Sequence, residues 1–148
     1  MDELPIEKFI GPGIVIDCKH LAGKNITLDF LKQFEDRIKK AEFILFNSGW
    51  SAKWKTEAYF EGFPILTTEA ATWLTTFHLK GIGLDSISLD PVADLTLPNH
   101  RIVLAKEILI IENMCNMDAL PDEFIFQCLP LKIEKADGSP VRAVGMIG

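Results

Sequence analysis

The chain has 148 residues, 48% of them hydrophobic and 24% charged, with a formal net charge of −6 at pH 7. That size and balance predict one folded domain over residues 1–148 with a real core, and they exclude a disordered chain. Acidic and basic residues are interspersed, so neither a nucleic-acid-binding face nor a surface drawn to anionic membranes is expected.

No apolar run approaches the length of a membrane span. The opening "MDELPIEKFIGPG" has neither the basic start nor the apolar stretch of a secretory signal. The three cysteines, Cys18, Cys115 and Cys128, contain no C-x-x-C pair. Reduced thiols in a cytoplasmic protein are the expectation, and a thiolate metal site is not.

In chain order, "GIVID" (13–17) reads as a buried strand. "ITLDFLKQFEDRIKK" (26–40) predicts one helix: Thr27 caps it, Leu28, Leu31, Phe34 and Ile38 recur at helical spacing, and Arg37, Lys39 and Lys40 suit its negative end. "EFILFN" (42–47) is a second strand. The following segment, 48–64, lacks a clean period and is crowded with aromatics, Trp50, Trp54, Tyr59, Phe60 and Phe63 among them. "TTEAATWLTTFHL" (67–79) predicts a helix capped by Thr67 or Thr68. "GIGLD" (81–85) is a third strand, and "SISLDPVADLTLPN" (86–99) a loop. A short helix from about Asn99 leads into the strand "EILIIE" (107–112). "FIFQCLPL" and "VRAVGMI" close the chain as two strands joined through the turn "KADGSP". Strands alternating with helices predict an α/β domain with a β-rich C-terminal end.

The residues most able to carry chemistry are His100 and Glu112. His100 falls at the start of the short helix and Glu112 at the end of the following strand, so a compact helix-then-strand return brings the two together. Imidazole and carboxylate are a workable ligand pair for zinc or manganese. Spacing alone leaves a second reading open, a helix-start histidine and a solvated strand end. Trp50, on the aromatic loop, either walls an aromatic substrate or packs that loop onto the core. Asp85 and Asp90 are expected to order their loop by accepting backbone N–H groups. Arg142 is expected to pair with a carboxylate. His20 reads as an exposed loop residue and His78 as a polar group at a helix C-terminus.

Taken together, "GPGIVIDCKH", "FILFNSGW", "GIGLDSISLDP", "NHRIVLAKEILIIENM" and "LPLKIEKADGSPVRAV" resemble, in order, segments of the cyclase family of metal-dependent hydrolases, which includes kynurenine formamidases and isatin hydrolases. The resemblance runs from about Leu4 to the C-terminus. It implies a mixed sheet flanked by helices, the swivelling β/β/α cyclase-like fold, and His100 and Glu112 as metal ligands. It also implies amide hydrolysis, with a metal-bound hydroxide attacking a formyl or cyclic amide, and a small-molecule amide substrate such as N-formylkynurenine, walled in part by Trp50.

The family's other ligands and its general acid/base histidine come from an H-x-G-T-H-x-D-x-P-x-H motif, and nothing in this chain matches it. No catalytic residue is therefore assigned here. Met1 falls where the resemblance expects an internal residue, so an N-terminally truncated chain, a mis-placed start or a natural relic is expected. These 148 residues alone are expected to hold metal weakly and to show little or no activity. The alternatives to a working hydrolase are a non-catalytic relic or assembly module, and one half of a split enzyme. A sheet missing strands exposes edges that pair with other copies, so a homo-oligomer is expected.

Overall fold

The computed structural model describes residues 2–21 and 24–147; Met1, on which the expectation about the chain start falls, lies outside the described residues. Six strands form one mixed sheet: β1 (Ile10–Asp17), β2 (Phe43–Asn47), β3 (Gly81–Leu84), β4 (Leu109–Ile111), β5 (Phe124–Gln127) and β6 (Val144–Met146). Their order across the sheet is β4-β3-β2-β1-β5-β6. The first four strands run parallel, with Gly13 opposite Phe43, Phe43 opposite Gly81 and Gly81 opposite Leu109. β5 and β6 join antiparallel beyond β1.

The parallel strands are connected through α1 (Leu28–Lys32) with α2 (Glu35–Ile38), then α3 (Thr68–Leu74), then α4 (Pro98–Leu104). Each connection steps the same way across the sheet, and crossovers of one hand that step one way put all their helices on one face. Ile14, Ile16, Ile44, Phe46, Ile82 and Leu84 supply the sheet side of that layer; Leu31, Ile38, Ala70, Ala71, Leu74 and Val103 supply the helix side. The central strand β2 is buried at every position, as the continuous apolar run "FILF" requires of a parallel strand covered on both faces. On the opposite face Phe43, Leu45, Phe124 and Phe126 pack beneath Phe9 and Met117, from two short 3-10 turns, and Met114, from the segment after β4.

Several boundaries differ from the sequence reading: β4, β5 and β6 are each shorter than the expected strands "EILIIE", "FIFQCLPL" and "VRAVGMI", and three further differences have a local cause. The expected single helix over 26–40 is two helices, because the chain tightens between them: Phe34 N–H bonds Leu31 O, three residues back, and Phe34 leaves helical geometry at φ −109, ψ 9. Thr27 does cap α1, its hydroxyl accepting from Phe30 N–H. Helix α3 stops at Leu74, so exposed His78 lies four residues past its end rather than on its last turn. Strand β1 starts at Ile10, earlier than expected, because β5 pairs with Ile10 to Gly13 before β2 begins. Gly83 in β3 sits where an added Cβ would stand 2.6 Å from both the Leu45 and Met114 side chains. The bare backbone there lets the segment after β4 fold back closely over the sheet.

Candidate metal centre

Asp17, Asn47, Asp85 and Glu112 stand at the carboxyl ends of the four parallel strands. In open α/β sheets this is the edge where ligands bind. Two of the carboxylates behind this edge are buried, and both organise loops.

Asp85 takes Ser48 N–H and Ser48 Oγ–H on one oxygen, at 3.1 and 2.6 Å, and Ser51 N–H on the other. It thereby fixes the turn that carries Trp50. Asp90, with none of its surface exposed, reaches the start of α4. Pro98 opens that helix and has no N–H to satisfy, while the N-cap position, Leu97, offers no side-chain acceptor. Asp90 Oδ1 accepts Asn99 N–H and Oδ2 accepts His100 N–H, both at 3.0 Å. The expected loop-ordering role of the two aspartates is thus what the structure shows, and Asp90 also caps the helix.

The same Asp90 Oδ2 lies 2.8 Å from His100 Nδ1. A carboxylate already receiving two backbone N–H groups is an acceptor, so the imidazole proton belongs on Nδ1. The other ring nitrogen, Nε2, then presents a bare lone pair, and it faces Glu112 Oε1 at 3.4 Å. Glu112 is held in place from both sides. Ile111 pairs with Gly83, Asn113 N–H donates to Ser86 O, and the Tyr59 hydroxyl donates to Asn113 Oδ1 at 2.8 Å.

Two acceptors facing each other require a cation between them, either a proton or a metal ion. The proton answer appears as a raised His100 pKa: the facing Glu112 carboxylate is the main cause, burial opposes it and Asp90 adds to it. The metal answer fits the geometry. Two donors each about 2.1 Å from a tetrahedral ion stand about 3.4 Å apart, the separation found. A histidine whose second nitrogen is tied to a carboxylate is also the usual outer-shell arrangement around such ions. The donor set is incomplete, however: among the described residues no group of three or more His, Cys, Asp or Glu side chains is placed to hold an ion.

The raised pKa gives a pH prediction for the metal-free protein. Since His100 binds its proton more tightly folded than unfolded, its contribution to stability is fully present below about pH 6.5, the unfolded value. It is lost as pH rises through the higher folded value. Ion binding, which needs Nε2 bare, strengthens over the same window. NMR titration of the His100 ring is expected to show it holding its proton to a higher pH than an ordinary imidazole.

The other candidates lie apart from this centre. Trp50 is buried, with 8% of its surface exposed, and its indole N–H donates to Tyr59 O at 2.8 Å. It packs with Tyr59 and Phe63 as a separate small core, with Lys53 over its ring. Packing the loop is therefore the role the structure displays for Trp50. His20 is exposed and rests on the Phe30 ring. The contact by which Asp90 orients His100 is not part of the sequence reading, although an acid followed by proline shortly before the "PNH" helix start is a usable signal.

Beside Glu112, on the sheet face away from the helices, lies a cavity of about 390 Å³. Glu112, Asn113 and Cys115 line it on one side, Arg142 and Val144 on another, with Met114, Met117 and Phe126 among its apolar walls. Among the described residues, Arg142 has no carboxylate within ion-pair distance, contrary to the pairing expected of it.

The chain is similar to known proteins in sequence and in fold. A family model described as Putative cyclase matches residues 1–91. The chain is 31% identical over 144 residues to a kynurenine formamidase of Bordetella avium, covering 95% of this chain and 65% of that protein. In structure it is similar to isatin hydrolase A from Ralstonia solanacearum, with TM-score 0.86, 28% identity, and coverage of 97% of this chain and 62% of the other. It is also similar to a predicted metal-dependent hydrolase from Bacillus stearothermophilus, with TM-score 0.72, 25% identity, and coverage of 95% and 65%. The chain thus spans just under two thirds of the length of these relatives.

Proposed function

Since the chain belongs to the cyclase family, we propose that it serves as a metal-dependent amide hydrolase of the kynurenine formamidase type, with zinc or manganese held by His100 and Glu112. The single observation that supports this most is His100 Nε2 turned onto a Glu112 carboxylate oxygen at 3.4 Å, with Nδ1 of the same ring held from behind by Asp90. When bound, such an ion supplies a Lewis acid that polarises an amide carbonyl and makes water a nucleophile near neutral pH. The chain's own part is positional. Asp90 fixes the His100 tautomer, the Tyr59–Asn113 bond steadies Glu112, and the adjoining cavity receives a small amide. The free thiols of Cys18, Cys115 and Cys128 suit a reducing, cytoplasmic setting. No helix of the described residues is long and apolar enough to cross a membrane.

A second reading, a non-catalytic assembly module, is favoured by the two-donor ion site and by the edge strand β6, where Val144 and Met146 are exposed beside Ile125. Hydrolysis of N-formylkynurenine with added zinc or manganese separates the two. Slow turnover above the metal blank, lost in both His100→Ala and Glu112→Ala, is expected of the hydrolase. Turnover equal to the blank would favour the module. Turnover untouched by either substitution would contradict the assigned ligands.

A further inference from the structure

We propose that the order of the aromatic loop is coupled through the Tyr59 hydroxyl to the aim of Glu112, and so to the affinity of the ion site. This inference rests on the reading of His100 and Glu112 as ion ligands and adds a regulation of that site. The loop, residues 48–63, turns on two left-handed glycines, Gly49 at φ 75 and Gly62 at φ 71. Between them lie two short 3-10 turns, Trp50–Lys53 and Glu57–Tyr59. Segments so lightly bonded belong to the low-stability end of a fold, where one bond changes their order measurably.

Tyr59 is where the loop meets the ion site. Its ring is buried, with Trp54 edge-on at 5.0 Å and Phe60 edge-on at 5.7 Å between centroids. Its backbone O accepts the Trp50 indole N–H, so the phenol does not shift without the rings around it. The hydroxyl leaves the loop, donating to Asn113 Oδ1 at 2.8 Å and lying 3.3 Å from Asp85 O. Asn113 has φ 60, a left-handed conformation that asparagine tolerates but does not prefer. The hydroxyl on its side chain and Ser86 O on its N–H hold it there.

The peptide that Asn113 turns is the one after Glu112, so the turn sets where that carboxylate points. Loosening the loop withdraws the hydroxyl, frees the turn and lets Glu112 swing away from His100 Nε2. Linkage is reciprocal, so an ion that fixes Glu112 tightens the loop by the same factor. Trp54 and Phe60 are exposed on the outer side of Tyr59, and a contact made there reaches the ion through its hydroxyl. Tyr59 is thus a positioning residue.

The test is hydrogen exchange and zinc calorimetry on wild type, Tyr59→Phe, Trp54→Ala and the double variant. Tyr59→Phe keeps the ring in its packing, and exposed Asn113 can take water in place of the lost bond, so this variant is expected to fold. Unchanged exchange at the β2 amides checks that. In the metal-free protein the Asn113 and Met114 amides, which bond Ser86 O and Leu84 O, are expected to exchange about 3–10-fold faster in Tyr59→Phe, the range of one neutral hydrogen bond. Zinc affinity is expected to fall by about 3–10-fold in Tyr59→Phe, and in the same direction in Trp54→Ala. The double variant should lose no more than Tyr59→Phe alone, because both changes act through one hydroxyl. Zinc should slow exchange at the Tyr59 and Phe60 amides of the wild type and leave it unchanged at those positions in Tyr59→Phe.

Wild-type exchange at Asn113 and Met114 in Tyr59→Phe, wild-type zinc affinity in that variant, or additive losses in the double variant would overturn the proposal. The reading it rests on fails separately. If the wild type takes up no zinc, the ligand assignment falls; faster metal-free exchange at Asn113 and Met114 then keeps the Tyr59 link, and unchanged exchange overturns it. Coupled zinc binding without turnover removes the hydrolysis and leaves the coupling.

Discussion

Replacing Asp90 with alanine is expected to destabilise the protein by about 3–5 kcal/mol, the range for removing one partner from a buried charged pair. Three donors converge on this carboxylate: the N–H groups of Asn99 and His100 and the ring Nδ1–H of His100. With Asp90 fully buried, water cannot take its place without rearrangement. Each stranded donor carries its own desolvation cost. Asp90→Asn keeps the shape but replaces one acceptor oxygen with an NH2 group, which confronts a donor with a donor. It is expected to recover only part of the loss. Urea unfolding of the three proteins checks this through the midpoint. The same substitution frees the His100 ring, so ion affinity should fall about 10–100-fold, as for outer-shell partners generally. An Asp90→Ala midpoint within about 0.5 kcal/mol of wild type, the usual range of surface changes, would show that Asp90 is not the cap.

The second large effect is at Glu112, and its sign differs between stability and binding. In the metal-free protein above the raised His100 pKa, Nε2 and Glu112 Oε1 are two acceptors in confrontation. Glu112→Gln places an NH2 donor opposite the lone pair and turns that confrontation into a hydrogen bond. The metal-free variant should therefore be as stable as wild type at alkaline pH, or more stable by up to about 1 kcal/mol. Ion binding moves the other way. A neutral amide neither neutralises a divalent ion nor competes with water for it as a carboxylate does. Affinity is expected to fall more than about 100-fold, beyond the cost of losing an outer-shell partner. A substitution that stabilises the empty protein while abolishing binding marks a site shaped for a ligand rather than for folding.

Most of the element order is legible in the sequence, because the parallel strands are short apolar runs and the helices carry threonine caps or a proline start. His100 and Glu112 are legible as a pair because an α4-to-β4 return is compact enough to be deduced. What the sequence hides is each instance where a partner is chosen by tertiary placement. Asp90 and Asp85 look alike in "GLDSISLD", yet one caps α4 and orients His100 while the other ties down the Trp50 turn. The break between α1 and α2 carries neither glycine nor proline. Leu31 and Ile38 are both buried under the sheet on either side of it, so the helical period runs through the break and does not reveal it. Trp50 illustrates the remaining ambiguity, since an aromatic loop reads equally as pocket or packing until Tyr59 O is seen to take the indole N–H.

Whether His100 and Glu112 share one cation is tested most directly by zinc titration followed by calorimetry at pH 8. Wild-type protein is expected to bind one zinc ion per chain, weakly for want of further donors, and binding should disappear in both His100→Ala and Glu112→Gln. Zinc binding of equal strength in all three proteins would contradict that sharing.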